Sequence, residues 1–138
     1  MSEANQKLVS AELNWDGGDY GALRARATDL GPWEGFSLEV QGNSTWTIKS
    51  LANGKFVSAE LNYVGGTYGL LRARADVAAE WEKFDLYYNE ARKLFTLKSQ
   101  ANGKFVSAEL NYGGDAYGIL RARATNVGPW EWFRMWGF

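Results

Sequence analysis

Ala52-Asn-Gly-Lys-Phe-Val-Ser-Ala-Glu-Leu-Asn-Tyr63 recurs letter for letter from Ala101 to Tyr112, and a looser copy, Ala4-Asn-Gln-Lys-Leu-Val-Ser-Ala-Glu-Leu-Asn-Trp15, opens the chain. Each copy leads into a glycine-rich turn, a Tyr-Gly pair, a Leu-Arg-Ala-Arg-Ala run and then Trp-Glu-x-Phe. The landmarks Lys7, Lys55 and Lys104 lie 48 and 49 positions apart, and so do Trp33, Trp81 and Trp130. The extra residue falls between Phe84 and Phe95, in a connection where one more residue costs little. A period near 50 suits propeller blades or a trefoil. Three copies are too few for a propeller.

Within the unit, hydrophobic alternation has a period of two, which is the strand period. Val57, Ala59 and Leu61 share one face, and Phe56, Ser58 and Glu60 share the other. Gly65 and Gly66 allow a turn with positive φ. Leu71, Ala73 and Ala75 then point inward while Arg72 and Arg74 point outward; small inward alanines suit strands converging in a narrow barrel. Phe84 with Leu86, and Phe95 with Leu97, continue the pattern. Leu-Arg-Ala-Arg-Ala has helical propensity. The glycines before it, and Gly-Pro soon after it in the outer units, leave room for two helical turns at most.

The expected fold is therefore all-β: a β-trefoil with pseudo-threefold symmetry, one domain over residues 1–138, with units of about 1–45, 46–93 and 94–138. One strand is missing from the count. Trp46-Thr-Ile-Lys-Ser50 precedes unit two and Leu94–Ser99 precedes unit three, but only six residues stand before Lys7. The aromatic Met135-Trp-Gly-Phe138 is one candidate to plug the gap. A second chain is the other, which makes the open edge a candidate homodimer interface.

Composition narrows the chemistry. Fifteen Lys and Arg against sixteen Asp and Glu give net −1, without the basic excess that a phosphate backbone needs, so nucleic acid is not an expected partner. The absence of cysteine and histidine removes disulfides, thiolate catalysis, imidazole metal ligands and the Ser-His-Asp triad. No metal or other cofactor is expected. The first residues lack the build of a signal peptide, and no apolar run approaches the roughly 20 residues that span a bilayer, so membrane insertion is not expected. Location stays open between the cytoplasm and secretion.

Taken together, Ala-Asn-Gly-Lys-Phe-Val-Ser-Ala-Glu, Leu-x-Ala-x and Gly-Pro-Trp-Glu-x-Phe resemble the fascin-like β-trefoil repeat, three times over nearly the whole chain. That repeat also occurs in bacterial carbohydrate-binding modules and small lectins. The resemblance implies a trivalent sugar binder with one shallow site per unit, in which a Trp and a Glu matter. Fascins themselves bundle actin and carry four trefoils, so the resemblance also implies a second class, a structural or protein-interaction module.

The residues that would carry sugar binding recur in threes. Trp33, Trp81 and Trp130 either offer faces on which pyranose C–H groups stack, with Glu34, Glu82 and Glu131 setting an acceptor beside each, or cap the barrel end as half-buried rings. Glu12, Glu60 and Glu109 either face a ligand or pair with the arginines of the next strand. Asn14, Asn62 and Asn111 either wall a pocket with the neighbouring ring or close an Asx-type turn. A glycosidase would need two carboxylates across one bond. Three equal copies on one small barrel argue against that, and no enzyme is expected.

Overall fold

A computed structural model describes residues 1–135. It contains ten strands: β1 (Leu8–Glu12), β2 (Ala22–Ala27), β3 (Phe36–Val40), β4 (Trp46–Ser50), β5 (Phe56–Glu60), β6 (Leu70–Ala75), β7 (Phe84–Asn89), β8 (Leu94–Ser99), β9 (Phe105–Ala108) and β10 (Leu120–Ala124). Unit two has the full set of four, β4 to β7. The Leu-Arg-Ala-Arg-Ala run is strand in every unit, and the only helical pieces among the described residues are single 3₁₀ turns. Two of these recur in each unit, one beginning on the glycines and one over the Trp-Glu pair.

Antiparallel pairing closes a circuit: β4 to β5, β5 to β6, β6 to β10, β10 to β9, β9 to β8, β8 to β7, and β7 back to β4 through Trp46 and Phe84. The β1–β2 hairpin joins through Ala22 opposite Arg72. This is a β-trefoil. Its core stacks the inward residues of the three units, with Ala11, Ala59 and Ala108 beside Leu23, Leu71 and Leu120, and Ala25, Ala73 and Ala122 beneath. The alanines sit where strands converge and no larger side chain fits. Burying these faces, with the rings of Phe84, Phe95 and Phe133, is the main stabilising contribution.

The gap before unit one is smaller than the strand count implies. Met1–Glu3 pairs antiparallel with Trp132–Arg134: Glu3 donates its N–H to Trp132 O at 3.0 Å, and Arg134 donates to Met1 O at 2.8 Å. Ser2 bridges Phe133, which in turn bridges Phe95. The two ends of the described chain thus form the base of a third hairpin, the counterpart of β3–β4 and β7–β8. Sequence could not show this because the partners are 131 residues apart. The proposed plug falls mostly on residues 136–138, outside the described residues.

This closure has a pH signature. The Met1 ammonium donates to Arg134 O, and burial lowers its pKa from 8.0 to about 6. Between those values the unfolded chain holds a proton that the folded chain has released. Stability is therefore expected to rise as pH goes from about 6 to 8, by about 2 kcal/mol, and to fall through the same window on acidification. Urea titrations at a series of pH values would measure it. Acetylating the amine should flatten the slope, and an unchanged slope would contradict this origin.

Candidate functional site

The second face of β5 is not a solvent face. Glu60 points away from the barrel axis, yet it is only 2% exposed. Arg74 donates from Nε to Glu60 Oε2 at 2.7 Å and from Nη2 to Oε1 at 2.8 Å, a bidentate pair, and Nη2 also reaches Ser58 Oγ. Arg72 donates to Glu60 Oε2 at 3.1 Å and to Tyr63 Oη at 2.8 Å. The same set recurs in unit three around Glu109, with Arg123, Arg121 and Tyr112. In unit one Glu12 keeps the bidentate bond from Arg26, but Arg24 stands 3.5 Å away. Trp15 replaces the tyrosine there and has no hydroxyl to offer; Arg24 lies over its ring instead. Of the two roles open to these glutamates, ion pairing is the one the side chains occupy.

Arg72 also spans two units. It donates to Tyr20 O and Gly17 O, both in unit one. Arg121 does the same to Tyr68 O and Gly65 O in unit two, and Arg24 bonds Tyr117 O in unit three. Alongside, Asn53 donates to Tyr20 Oη and to Ala73 O, while its own carbonyl accepts from Lys55 N–H. Asn5 and Asn102 repeat this pattern. These asparagines and tyrosines are clasps between units, a role their sequence positions did not announce. The signal was present, since Asn53 belongs to the twelve-residue copy, but repetition does not say which unit a side chain reaches.

The Trp-Glu pairs lie on 3₁₀ turns. Glu34, Glu82 and Glu131 each accept, through Oε1, the N–H three residues earlier, from Gly31, Ala79 and Gly128 at 2.8, 2.8 and 2.6 Å. The carboxylate caps the turn. Ala79-Glu80 therefore builds the same turn as Gly31-Pro32, although it lacks the proline. Trp33, Trp81 and Trp130 remain half-buried beside them. Arg26, Arg74 and Arg123 sit between the two carboxylates of their units with about a third of the side chain open to solvent, 35%, 34% and 33%. Their pKa values are raised above the ordinary arginine value, chiefly by the hydrogen bond to Glu12, Glu60 or Glu109 and further by the charge of Glu34, Glu82 or Glu131. Each unit thus sets an indole and a guanidinium edge at the surface beside a turn-capping carboxylate, which is half-buried at Glu34 and buried at Glu82 and Glu131, 5% exposed each.

Asn14, Asn62 and Asn111 stand apart from that grouping. All three are exposed, and none makes a side-chain hydrogen bond among the described residues. Asn14 lines an open hollow of about 450 Å³ with Trp15, Asp16, Asp19 and Asp115, at the junction of units one and three. The corresponding tyrosines elsewhere close over the neighbouring turn, Tyr63 onto Gly18 O and Tyr112 onto Gly66 O. Unit three has its own feature, Arg92 over the ring of Trp132.

No protein-family model and no curated protein matches the chain. Among solved structures, the designed threefold-symmetric protein ThreeFoil superposes with a TM-score of 0.78 at 13% identity, over 97% of this chain and 93% of ThreeFoil. The BEL β-trefoil matches with a TM-score of 0.63 at 14% identity, covering 91% of this chain and 82% of that one. A chain of the Haemophilus ducreyi cytolethal distending toxin matches with a TM-score of 0.62 at 16% identity, over 97% and 85%. At these identities the likeness establishes the trefoil fold. Among the described residues, no helix is long and apolar enough to cross a membrane.

Proposed function

We propose that this trefoil is a non-catalytic carbohydrate-binding module of the lectin-like kind, with up to three shallow sites at Trp33-Glu34, Trp81-Glu82 and Trp130-Glu131. The observation that carries the reading is the threefold placement of a half-exposed indole beside a carboxylate and a guanidinium edge. Stacking on the ring orients a sugar and the guanidinium edge supplies donors for its hydroxyls; Glu34 offers an accessible acceptor, whereas the buried Glu82 and Glu131 act chiefly by shaping the turn under the indole. Each carboxylate spends one oxygen on its turn, which fixes the side chain before a ligand arrives. Glu12, Glu60 and Glu109 act behind this surface, holding Arg26, Arg74 and Arg123 in place. Asn14 and the hollow beside it lie apart from the Trp33-Glu34 surface, so Asn14, Asn62 and Asn111 are not part of the three sites.

In this reading the partner is a glycan, no step of chemistry is performed, and neither nucleic acid nor a bilayer interior is engaged. Single sites of this depth bind weakly, and several sites on one polysaccharide raise the avidity. Retention on a panel of polysaccharides or a glycan array would test it. Trp33→Ala, Trp81→Ala and Trp130→Ala are expected to lower retention stepwise, each on the order of tenfold. A folded wild-type chain that binds no glycan, or a triple variant that binds as well as wild type, would sink the reading.

A second reading, a fascin-like interaction module, draws on a different observation: exposed Leu30, Leu51 and Met135 gather at one mouth of the barrel.

A further inference from the structure

The symmetry of the barrel is broken at one place. Phe84 is bridged by Trp46, the first strand residue of its own unit, and Phe133 by Phe95 of its own, with N–H···O bonds of 2.8 and 2.9 Å in both directions between the latter pair. Phe36 holds the corresponding position in unit one. It pairs with Ser50 of β4 alone, and no bridge meets its other side among the described residues. By antiparallel alternation the Phe36 N–H and C=O face that open side. Phe84 and Phe133 are buried, whereas Phe36 is half-buried.

A cavity of about 420 Å³ opens there, lined by Phe36, Leu38, Ile48, Leu97, Phe133 and Met135 among others. Its volume falls within the range of ligand pockets. Exposed apolar side chains stand at its rim, Leu51 65%, Leu30 56% and Met135 41% exposed, beside the charged Glu34 and Arg134. The residues standing where Leu51 stands are Gln100 in unit three and Glu3 in unit one, so an exposed leucine at that position is particular to this mouth.

The other two units show what fills such a place. Trp46-Thr47-Ile48 and Phe95-Thr96-Leu97 are extended segments with one large apolar side chain, a threonine, and a second apolar side chain. Trp46 and Phe95 bridge the phenylalanine, and Ile48 and Leu97 stand opposite Leu38 and Leu86. We propose that the cavity is a strand-acceptor site for an extended peptide segment of this pattern, inserted between Phe36 and the Phe133–Met135 stretch. Its first apolar residue exchanges main-chain hydrogen bonds with Phe36, and its second sits opposite Met135. Main-chain pairing supplies affinity and the two side-chain positions supply selectivity, as in other strand additions. The site borders the unit-one Trp-Glu turn, since Glu34 is among the cavity's lining residues.

The probe is a blocked, labelled hexapeptide, Arg-Lys-Leu-Phe-Thr-Leu, the sequence of residues 92–97, which ends where Met1 begins. Anisotropy titration is expected to show saturable binding, weakened at least about tenfold when Phe and Leu of the probe's last three residues become Ser. Leu51→Gln, at an exposed position that tolerates the change, should weaken binding as well. Fusing the same six residues ahead of Met1 should raise the Tm and abolish binding of the free peptide. Self-association that the peptide dissolves would identify a second copy as a donor and support the acceptor. Absence of binding by the intact chain would overturn the proposal. So would binding only after removal of residues 136–138, which would mean that the chain fills its own cavity. Uptake of a small apolar dye with no peptide binding, or an unchanged Tm in the fusion, would overturn it too.

Discussion

Glu60→Ala is expected to lower stability by about 3 kcal/mol, among the larger losses available to any surface-directed residue here. The carboxylate is 2% exposed and accepts from both Arg72 and Arg74. Removing it leaves two guanidiniums without their counter-charge. The two do not suffer equally. Arg74 has a third of its side chain in water and can turn outward, so its share is reduced by solvent screening. Arg72 is held on the carbonyls of Tyr20 and Gly17 and cannot leave without opening the junction of units one and two. In a chain of this size the loss corresponds to a Tm drop of about 10 °C. The three copies should also rank: Glu60→Ala and Glu109→Ala costly and alike, Glu12→Ala milder because Arg24 is already 3.5 Å away and rests on Trp15. Thermal melts of the three variants decide it. Equal losses at all three would show that the bond from Arg24, Arg72 or Arg121 to the carboxylate does not set the cost.

That ranking marks how far the sequence could be read. The period, the alternating faces and the turn residues were legible because each is local: Val57, Ala59, Leu71 and Ala73 face the core as their spacing requires. The burial of Glu60 was not legible. Its face looks solvent-directed in a single strand and becomes buried only when Arg74 and the 3₁₀ turn at Glu80–Glu82 fold over it. Asn53 and Tyr20 illustrate a second limit. A repeat says that three positions are equivalent, and it cannot say that the partner of one lies in the next unit. The N-terminal pairing is a third, since Met1–Glu3 reads as a strand only beside Trp132–Arg134. For the candidate site, the Trp-Glu adjacency was visible, but the capping bond that fixes the glutamate depends on turn geometry. Threefold recurrence alone therefore favours sugar binding less than it first suggests, because most of the recurring residues clasp the units together. The half-exposed indoles are what the clasp leaves over.

Gly69→Ala is expected to be as damaging as the loss of Glu60, for a reason that lies in the backbone. Sequence reasoning assigned the positive φ to Gly65 and Gly66. The structure gives it to Gly65 and Gly69, with φ of +63° and +78°. At Gly65 a Cβ would meet open space, so Gly65→Ala should cost only the left-handed backbone conformation, about 1 kcal/mol. At Gly69 the same atom would stand 2.6 Å from Ala122 O and 3.1 Å from Ala122 N. That carbonyl cannot retreat, because it accepts from Asn102, while Ala122 N–H donates to Gly69 O at 2.8 Å. Relief requires units two and three to move apart at the barrel wall. Backbone strain and overpacking together are expected to cost about 3 kcal/mol or more. Gly21 against Ala73 and Gly118 against Ala25 are built alike, at 2.7 Å each, so Gly21→Ala and Gly118→Ala should behave as Gly69→Ala does. Denaturant unfolding of all four variants separates the two contributions. A Gly69→Ala chain no less stable than Gly65→Ala would mean that the units slide past one another at no cost, which these close contacts and paired hydrogen bonds do not permit.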